Sequence, residues 1–155
     1  MLHHRGTGRR LRSMTPETLA ALHSACFRTA PRAWSAAELA TLLEQPQVFL
    51  IPGEDGFALG RVAGPEAELL TLAVAPASRR QGIGRSLLEA FETQAGLRGA
   101  SEAFLEVAAD NAAACLLYEN AGWMKAGRRP GYYTDGRSVR DAVVLRKALE
   151  ISGAT

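Results

Sequence analysis

Apolar residues recur along the chain with two different periods, and this pattern predicts helices followed by a mixture of strands and helices. Leu19 and Leu22 stand at helical spacing behind Thr15 and Pro16. A capping residue followed by proline is typical of a helix start. The first helix is therefore predicted to begin at this pair and to end near Phe27.

A second helix is predicted just after Trp34. Ser35 and Glu38 have the spacing of a capping box, in which each side chain binds the other residue's backbone N–H. Leu39 begins the apolar stripe of this helix, and Pro46 is expected to stop it.

Several apolar runs predict strands. Residues 48–51 and 57–62 flank the turn sequence GEDG, so they are expected to pair as an antiparallel hairpin. Residues 69–74 form a longer run that suits a strand buried on both faces. Residues 103–107 predict another buried strand, and residues 141–149 predict the last one.

The loop RRQGIGR, residues 79–85, stands between the run at 69–74 and a helical stripe of Leu87, Leu88 and Phe91. The stripe predicts a helix that begins near Gly82. A helix N-terminus exposes unpaired N–H groups that bind anions, and glycines let a phosphate approach the backbone. The loop therefore predicts a phosphate site, although a plain turn with solvated arginines stays open.

Two common phosphate motifs do not fit this loop. A Walker loop requires Gly-Lys-Ser/Thr, but Gly84 is followed by Arg85. A dinucleotide fingerprint requires a third glycine where Leu87 stands. Neither ATP nor NAD is favoured as the ligand.

Glu106 places a carboxylate inside the apolar run at 103–107. Strand alternation puts Leu105 and Val107 on one face and Glu106 on the other. Because an unpaired buried carboxylate is costly, Glu106 either faces a wet cleft or is made more basic by burial, and both outcomes suit a general base. Pairing of Glu106 with an arginine is one open alternative, and Glu68 is a rival base.

The next helix, which Asp110 or Asn111 is expected to cap, carries a phenol beside an amide. Asn111, Cys115 and Tyr118 stand at i, i+4 and i+7 and share a face. A phenol, with a reference pKa of about 10, can protonate a thiolate leaving group, so Tyr118 is the candidate acid. A core tyrosine whose hydroxyl binds backbone is the alternative.

Composition limits the class of protein. The 155 residues suffice for one domain with its own core, and 47% hydrophobic with 22% charged residues is ordinary globular composition. A net charge of +2 is too small to predict nucleic-acid or membrane binding. Cys26 and Cys115 lack metal-ligand spacing, so no metal site is predicted. They need not pair in a disulfide, so a reducing cytoplasm is the expected location. Cys115 is expected to pack, because no nearby histidine in the sequence would activate it for acylation.

A single domain is predicted over residues 14–150. Residues 1–13 are polar and basic, lack the apolar run of a signal peptide or membrane span, and are expected to be disordered. A start codon read upstream of Met14 explains this leader better than a nucleic-acid-binding arm does. Residues 151–155 are expected to form a tail.

Taken together, these segments resemble the GNAT superfamily of acetyltransferases. The similarity covers about residues 34–149, through WS, EAELLTLAVAP, RRQGIGRSLL, LEVAADNAAACLLYENAGW and RRPGYY. Within the superfamily the chain resembles the RimI-like ribosomal-protein-alanine N-acetyltransferases. The motifs are highly specific for the superfamily and moderately specific for its N-terminal acetyltransferase branch.

The resemblance implies an α/β fold in which a mixed, mostly antiparallel sheet, flanked by helices, is splayed at two parallel strands. Acetyl-CoA would enter between these strands, with its pantetheine arm on the backbone of residues 72–74 and its pyrophosphate on the glycine loop. The implied cofactor-binding residues are Leu72, Ala73, Val74, Arg79, Arg80, Gln81, Gly82, Ile83, Gly84, Arg85 and Asn111.

The resemblance also implies the chemistry. Glu106 matches the family's proton acceptor and Tyr118 its proton donor, for direct attack in a ternary complex without a metal. The expected acceptor is the N-terminal α-amine of a protein or peptide, with a ribosomal protein as one candidate. A small-molecule amine or a lysine side chain is the alternative, and a non-catalytic acetyl-CoA-binding module is a weaker one. We expect a cytoplasmic monomer or weak homodimer.

Two positions depart from the family pattern. Ala108 stands where an arginine is usual, and Trp123 is bulkier than the usual aromatic residue. The first change removes a cation near the acceptor cleft, so the acceptor's identity stays open. The segment YYTDGR also suits a plain hairpin. The expected acceptor-binding residues are Trp34, Arg129, Tyr132 and Tyr133.

Overall fold

A computed structural model describes residues 14–26, 34–79, 81–134 and 139–150. The predicted leader and tail, Arg80 and residues 135–138, which include the predicted hairpin turn, lie outside the described residues. The elements within them are α1 (Pro16–Cys26), α2 (Ala36–Leu43), β1 (Val48–Gly53), β2 (Gly56–Ala63), β3 (Glu66–Val74), α3 (Ile83–Leu97), β4 (Glu102–Ala108), α4 (Ala112–Asn120), β5 (Met124–Thr134) and β6 (Val139–Ala148).

Local capping signals fix where the helices begin. Ser35 Oγ accepts a hydrogen bond from the Glu38 backbone N–H at 3.1 Å, and the Glu38 carboxylate accepts one from the Ser35 N–H at 2.9 Å. The predicted capping box at the start of α2 is confirmed. Asn111, one of the two predicted caps of α4, accepts a hydrogen bond from the Ala114 N–H at 3.1 Å.

The six described strands form one sheet in the order β1-β2-β3-β4-β6-β5. Only β3 and β4 run parallel, while every other neighbouring pair is antiparallel. The predicted mixed, mostly antiparallel sheet is confirmed. β3 begins three residues before the apolar run that predicted it, because Glu66 and Glu68 still pair in register with β2.

The parallel pair β3–β4 separates after three paired positions. Glu66, Ala67 and Glu68 pair with the start of β4, and no later residue of β3 does. The separation begins beside a bulge: Leu59 of β2 pairs with Thr71 but Gly60 pairs with Leu69, so one extra residue stands on β3. Because a bulge bends and twists its strand, it accounts for the opening between β3 and β4.

Helices cover both faces of the sheet. On one face, α3 packs Leu87, Leu88 and Phe91 against buried residues of β3 and β4. On the other, α1 and α2 pack Leu19 and Leu39 against β2 and β3. Each large side chain buried in this way contributes about 1.5–3 kcal/mol.

Trp123 connects three elements through a polar network beneath this core. Its indole N–H donates to Glu92 Oε2 at 3.0 Å, and Lys147 Nζ donates to Glu92 Oε1 at 2.8 Å and to the Ala121 carbonyl at 2.6 Å. Glu92 is only 16% exposed, so both of its oxygens require partners. The indole therefore has a polar role that a phenylalanine would not supply.

Candidate active site

A cleft of about 290 Å³ occupies the opening between β3 and β4. It brings together residues predicted separately as base, acid and acceptor-binding groups. The polar and aromatic residues that line it are His23, Trp34, Glu68, Thr71, Glu106, Asn111, Tyr118, Tyr132 and Tyr133.

Glu106 enters this cleft from β4, while Leu105 and Val107 are buried on the opposite face, as alternation predicted. The Glu106 side chain is 16% exposed, and Arg129 Nε of β5 lies 2.6 Å from its Oε2. That oxygen is buried and accepts no hydrogen bond from the described residues. The contact is therefore an ion pair held by charge alone, which realises the alternative that an arginine pairs with Glu106.

Glu68 lies in the same cleft but is held differently. Arg61, its register partner on β2, donates a hydrogen bond of 2.6 Å to Glu68 Oε1. Arg61 and Glu68 are direct register partners on neighbouring strands, whereas Arg129 and Glu106 lie on β5 and β4, which are separated by β6. Arg61 thus holds Glu68 more firmly than Arg129 holds Glu106.

Two tyrosines of β5 face Glu106. The negative charge of Glu106 is the largest cause that raises the pKa of Tyr132. Burial raises the pKa of Tyr133 to about 12, with the charge of Glu106 as a further cause. Both phenols therefore keep their protons at neutral pH, and Arg129 lies over the Tyr132 ring at 5.2 Å.

Tyr118 lies across the cleft on α4. It is 7% exposed, and its hydroxyl makes no hydrogen bond with the described residues, contrary to the alternative of a backbone-bonded core tyrosine. Burial raises its pKa, followed by the charges of Cys115 and Tyr133. The phenol thus stays protonated at neutral pH and has a proton to share with a departing thiolate.

Asn111, Ala114 and Tyr118 form the face of α4 that lines the cleft, and Cys115 is not part of that lining. The Cys115 thiol lies 3.9 Å from the Ala108 carbonyl. Its pKa is raised by burial and then by the charge of Glu119, so the nucleophilic thiolate is disfavoured. This environment agrees with the expectation that Cys115 packs.

Gly82 stands at the start of α3, close to where the helix was predicted to begin. It has a φ of +80°, no side chain caps the helix there, and a Cβ at this position would meet nothing within 4 Å. The first N–H groups of α3 thus lack a capping side chain, as an anion site requires.

Gly84 has different surroundings from Gly82, and the expectation that it also opens the backbone to phosphate stays a prediction. A Cβ on Gly84 would lie 3.4 Å from Leu117 Cδ2 and 3.9 Å from side-chain atoms of Leu72 and Val74. It therefore points into the packing between α3, α4 and β3. A Cβ at these distances makes ordinary contacts, whereas a larger side chain would meet the packed side chains.

Five of the cofactor-binding residues predicted from the sequence line two separate openings. Leu72 and Asn111 line the cleft, whereas Gln81, Gly82 and Ile83 line a separate recess of about 350 Å³ against the β1–β2 hairpin. Of the predicted cofactor-binding arginines, two are described, and each already has a partner. Arg79 Nε donates to the Val74 carbonyl at 3.2 Å, and Arg85 Nε lies 3.1 Å from Glu89.

Residues 16–123 match the model of the Acetyltransferase (GNAT) family. The chain belongs to this family. It is 46% identical over 98 residues to the [ribosomal protein bS18]-alanine N-acetyltransferase of Escherichia coli strain K12. That match spans 62% of this chain and 64% of the relative, which is less than two thirds of the relative's length.

Solved structures of GNAT-type enzymes have the same fold. The crystal structure of the ribosomal-protein-S18-alanine N-acetyltransferase from Escherichia coli gives a TM-score of 0.74 at 30% identity, over 89% of this chain and 92% of that one. Arabidopsis thaliana NAA60 with a bisubstrate analogue gives 0.76 at 18% identity, over 89% and 94%. The family and fold predicted from the sequence are confirmed.

Sequence reasoning missed two cleft residues of this GNAT domain, His23 and Thr71. His23 is 2% exposed, its Nε2 lies 3.0 Å from Thr71 Oγ1, and its ring stacks on Trp34 at 5.2 Å. Burial lowers its pKa to about 4, so it is neutral at pH 7. The available signal was helical spacing, since His23 falls four residues after Leu19 on the buried stripe of α1.

The described ranges of this GNAT chain contain neither a long apolar helix nor a group of metal-ligating side chains. No helix there is long and apolar enough to cross a membrane. Within the same ranges, no three His, Cys, Asp or Glu side chains are grouped so that they could hold a metal ion.

Proposed function

We propose that this chain transfers the acetyl group of acetyl-CoA to the N-terminal α-amine of a protein or peptide, by direct attack in a ternary complex. The observation that carries the proposal is one cleft, at the opening of β3 and β4, that has a carboxylate on one wall and a phenol on the other. The names of the relatives support a protein acceptor, with a ribosomal protein as one candidate.

The described residues suit acetyl-CoA, which supplies the acetyl group as a thioester when it is bound. Beyond Glu68, β3 has no β4 partner, so the backbone of Leu72, Ala73 and Val74 faces an opening where the amides of a pantetheine arm can bind. The uncapped start of α3 at Gly82 suits a pyrophosphate. We assign Arg79, Arg80, Gln81, Ile83, Gly84 and Arg85 to the surroundings of that anion, and Asn111 to the cofactor side of α4.

Glu106 serves as the proton acceptor in this proposal. A peptide α-amine has a reference pKa of about 8, so only a modest base is needed near neutral pH. The substrate ammonium replaces the Arg129 guanidinium beside Glu106, which exchanges one cation for another at a nearly buried carboxylate. The proton then leaves through Glu106, directly or by way of one water.

Tyr118 serves as the proton donor to the departing thiolate. Its buried hydroxyl is protonated and has no competing partner among the described residues. Trp34, Arg129, Tyr132 and Tyr133 border the acceptor side of the cleft, where they hold the peptide. General acid and base catalysis of this kind contributes about 10²–10⁴-fold to a rate.

Mass spectrometry tests the proposal. The full chain is incubated with acetyl-CoA and two peptides, one with a free N-terminus and no lysine, the other with a blocked N-terminus and one lysine. We expect a mass increase of one acetyl group on the first peptide. Acetylation of the lysine peptide alone would overturn the assignment of α-amines, and no thiol release with either peptide would overturn the transferase activity itself.

The same proposal includes a cytoplasmic location, a single domain over residues 14–150 and a monomer or weak homodimer. Light scattering during gel filtration measures the last of these, and a stable higher oligomer would contradict it. Limited proteolysis tests the domain limits, because a folded domain resists cleavage between its ends.

A further inference from the structure

The hydrogen bonds of His23 define its tautomer. The Trp34 backbone N–H donates to His23 Nδ1 at 3.2 Å, so Nδ1 is an acceptor and carries no proton. The neutral ring must therefore carry its proton on Nε2. It follows that Nε2–H donates to Thr71 Oγ1, which lies 3.0 Å away.

This arrangement leaves the Thr71 hydroxyl as a donor. Its oxygen already accepts from His23, and no described residue accepts its own proton. Thr71 is 9% exposed and lines the cleft that also contains Glu106. A nearly buried hydroxyl proton without an acceptor is costly, so an acceptor is expected to come from whatever fills the cleft.

The fold places this donor beside acceptor-binding groups. Thr71 follows the bulge on β3, and His23 of α1, whose ring stacks on Trp34, contacts its hydroxyl. Tyr132 and Tyr133 close the same cleft from β5. The acceptor's own atoms are therefore closer candidates for the hydroxyl than the pyrophosphate end of the cofactor, which we assign to α3.

We propose that the Thr71 hydroxyl donates a hydrogen bond to the carbonyl oxygen of the acceptor's first residue, that His23 is its positioning residue, and that this bond selects α-amines over lysine side-chain amines. The inference rests on the proposed function. In a peptide N-terminus the carbonyl oxygen lies within about 4 Å of the amine nitrogen, because only two carbon atoms separate them. A lysine ε-amine has methylene groups at that distance.

A lysine side chain in the cleft would leave Thr71 without an acceptor. Sites built to hydrogen-bond a polar group reject analogues that lack it, because their own buried groups stay unpaired. The His23–Thr71 pair is thus a device for substrate choice, separate from the proton transfers assigned to Glu106 and Tyr118.

Steady-state kinetics with the two peptides described above test this inference. Thr71→Val removes the hydroxyl at nearly constant volume, and Thr71→Ser, the matched control, retains it. For Thr71→Val we expect kcat/KM on the free N-terminus to fall about tenfold, mainly through KM, with the lysine peptide unchanged. Thr71→Ser should remain close to the wild-type chain. If acetylation of the lysine peptide is too slow to detect, the KM of the peptide with a free N-terminus decides the test.

His23→Phe tests the positioning role, because it keeps an aromatic ring against Trp34 and removes the Nε2 donor. It should lower the preference for α-amines when Thr71 is present and change nothing further in the Thr71→Val background. A purely structural role would lower both peptides' rates alike. Thermal unfolding shows whether each variant is folded, and if His23→Phe is not, the Thr71 variants decide alone.

Three outcomes would overturn the inference. If the Thr71→Val chain is active and its preference for α-amines over lysine amines is unchanged, the Thr71 hydroxyl does not select between them. Equal losses on both peptides point to the thioester as the partner of the hydroxyl, or to a packing defect. A wild-type chain that acetylates neither peptide refutes the proposed function itself, which distinguishes that failure from the first two.

Discussion

At the scale of residues, the cleft contains two carboxylates with different surroundings. Glu68 and Glu106 each lie 2.6 Å from an arginine nitrogen. Only the arginine of Glu68 donates a hydrogen bond to the oxygen it contacts, and the two residues are register partners on neighbouring strands. Arg129 is 57% exposed and can leave Glu106 more easily. This difference favours Glu106 over Glu68 as the base.

The first prediction compares these two carboxylates. Glu106→Gln should lower kcat by about 10²–10⁴-fold with little change in the KM of acetyl-CoA, because a neutral amide accepts no proton. Glu68→Gln is the matched control in the same cleft and should lose less than about threefold. Thiol release under saturating acetyl-CoA measures both. Equal losses in the two variants would mean that Glu68 shares the base role.

The second prediction concerns Tyr118. Tyr118→Phe keeps the ring that packs against Trp123 and removes the buried hydroxyl. We expect kcat to fall about 10²-fold with the unfolding temperature nearly unchanged, since the acid is lost and the packing is retained. Cys115→Ala, one turn away on α4, should remain active. A Tyr118→Phe enzyme with full kcat would exclude Tyr118 as the proton donor.

The third prediction is a pH effect on stability that arises from His23. Its pKa is 6.5 in the unfolded chain and about 4 in the folded one, because burial disfavours the charged ring. Between these values only the unfolded state takes up the proton, so stability is lost as the pH falls from 6.5 toward 4. The loss is about 3 kcal/mol at full effect. Urea unfolding of the wild type and of His23→Gln from pH 7 to 4.5 measures it, and parallel pH profiles would contradict it.

At the scale of elements, the start of α3 contains two glycines that differ in backbone conformation and in the space around them. Gly82 has a left-handed φ, whereas the space at Gly84 beside Leu117 admits a Cβ but little more. Alanine fits at Gly84, because a Cβ there would make an ordinary contact at 3.4 Å. Valine adds two methyl groups that must displace Leu117 or its neighbours.

The fourth prediction follows from this packing. Gly84→Ala should leave stability within about 1 kcal/mol of wild type, and Gly84→Val should cost about 1–3 kcal/mol through overpacking. Gly82→Ala, in contrast, should lower stability by no more than the backbone strain of about 1–2 kcal/mol. Its main effect should be a higher KM for acetyl-CoA. Denaturant unfolding and acetyl-CoA titration separate the two effects. A Gly84→Val chain of full stability with weakened acetyl-CoA binding would contradict the overpacking and indicate that the side chain obstructs the anion.

Elements with local signals could be predicted from the sequence. The capping box at Ser35, the cap at Asn111 and the alternation around Glu106 each depend on neighbours within a few residues. β5 was predicted only in part, because nearly every side chain of residues 124–134 is exposed and the segment shows no apolar alternation.

Features that depend on distant partners could not be predicted. The β3 bulge arises from pairing with β2, and nothing in the run at 69–74 marks it. His23 and Thr71 stand 48 residues apart, so only the packing of α1 on β3 brings them together. The sequence indicated that Glu106 could pair with an arginine. It could not identify Arg129, because the position of Arg129 depends on how β5 and β6 pair.

At the scale of the whole molecule, the sheet consists of two antiparallel units, β1–β2–β3 and β4–β6–β5. Between them the sheet is joined by three residue pairs at one end of β3 and β4. α3 packs mainly on the first unit and meets buried residues of the second through its apolar face. A ligand seated between β3 and β4 would therefore bind both units, and in the function proposed above acetyl-CoA links them as well as supplying the acetyl group.

The fifth prediction concerns this link. A ligand that binds only the folded state stabilises it by about 2.7 kcal/mol at 100 times its Kd. Acetyl-CoA should therefore raise the unfolding temperature, and hydrogen exchange should slow most along residues 69–74 and 105–108, where the strands face each other without pairing. An adenine nucleotide that lacks the pantetheine arm is the control. It can occupy an anion site at α3 but cannot reach between the strands, so it should protect the start of α3 and leave residues 69–74 unchanged. Protection by acetyl-CoA confined to α3 would show that the opening between β3 and β4 is not where its arm lies.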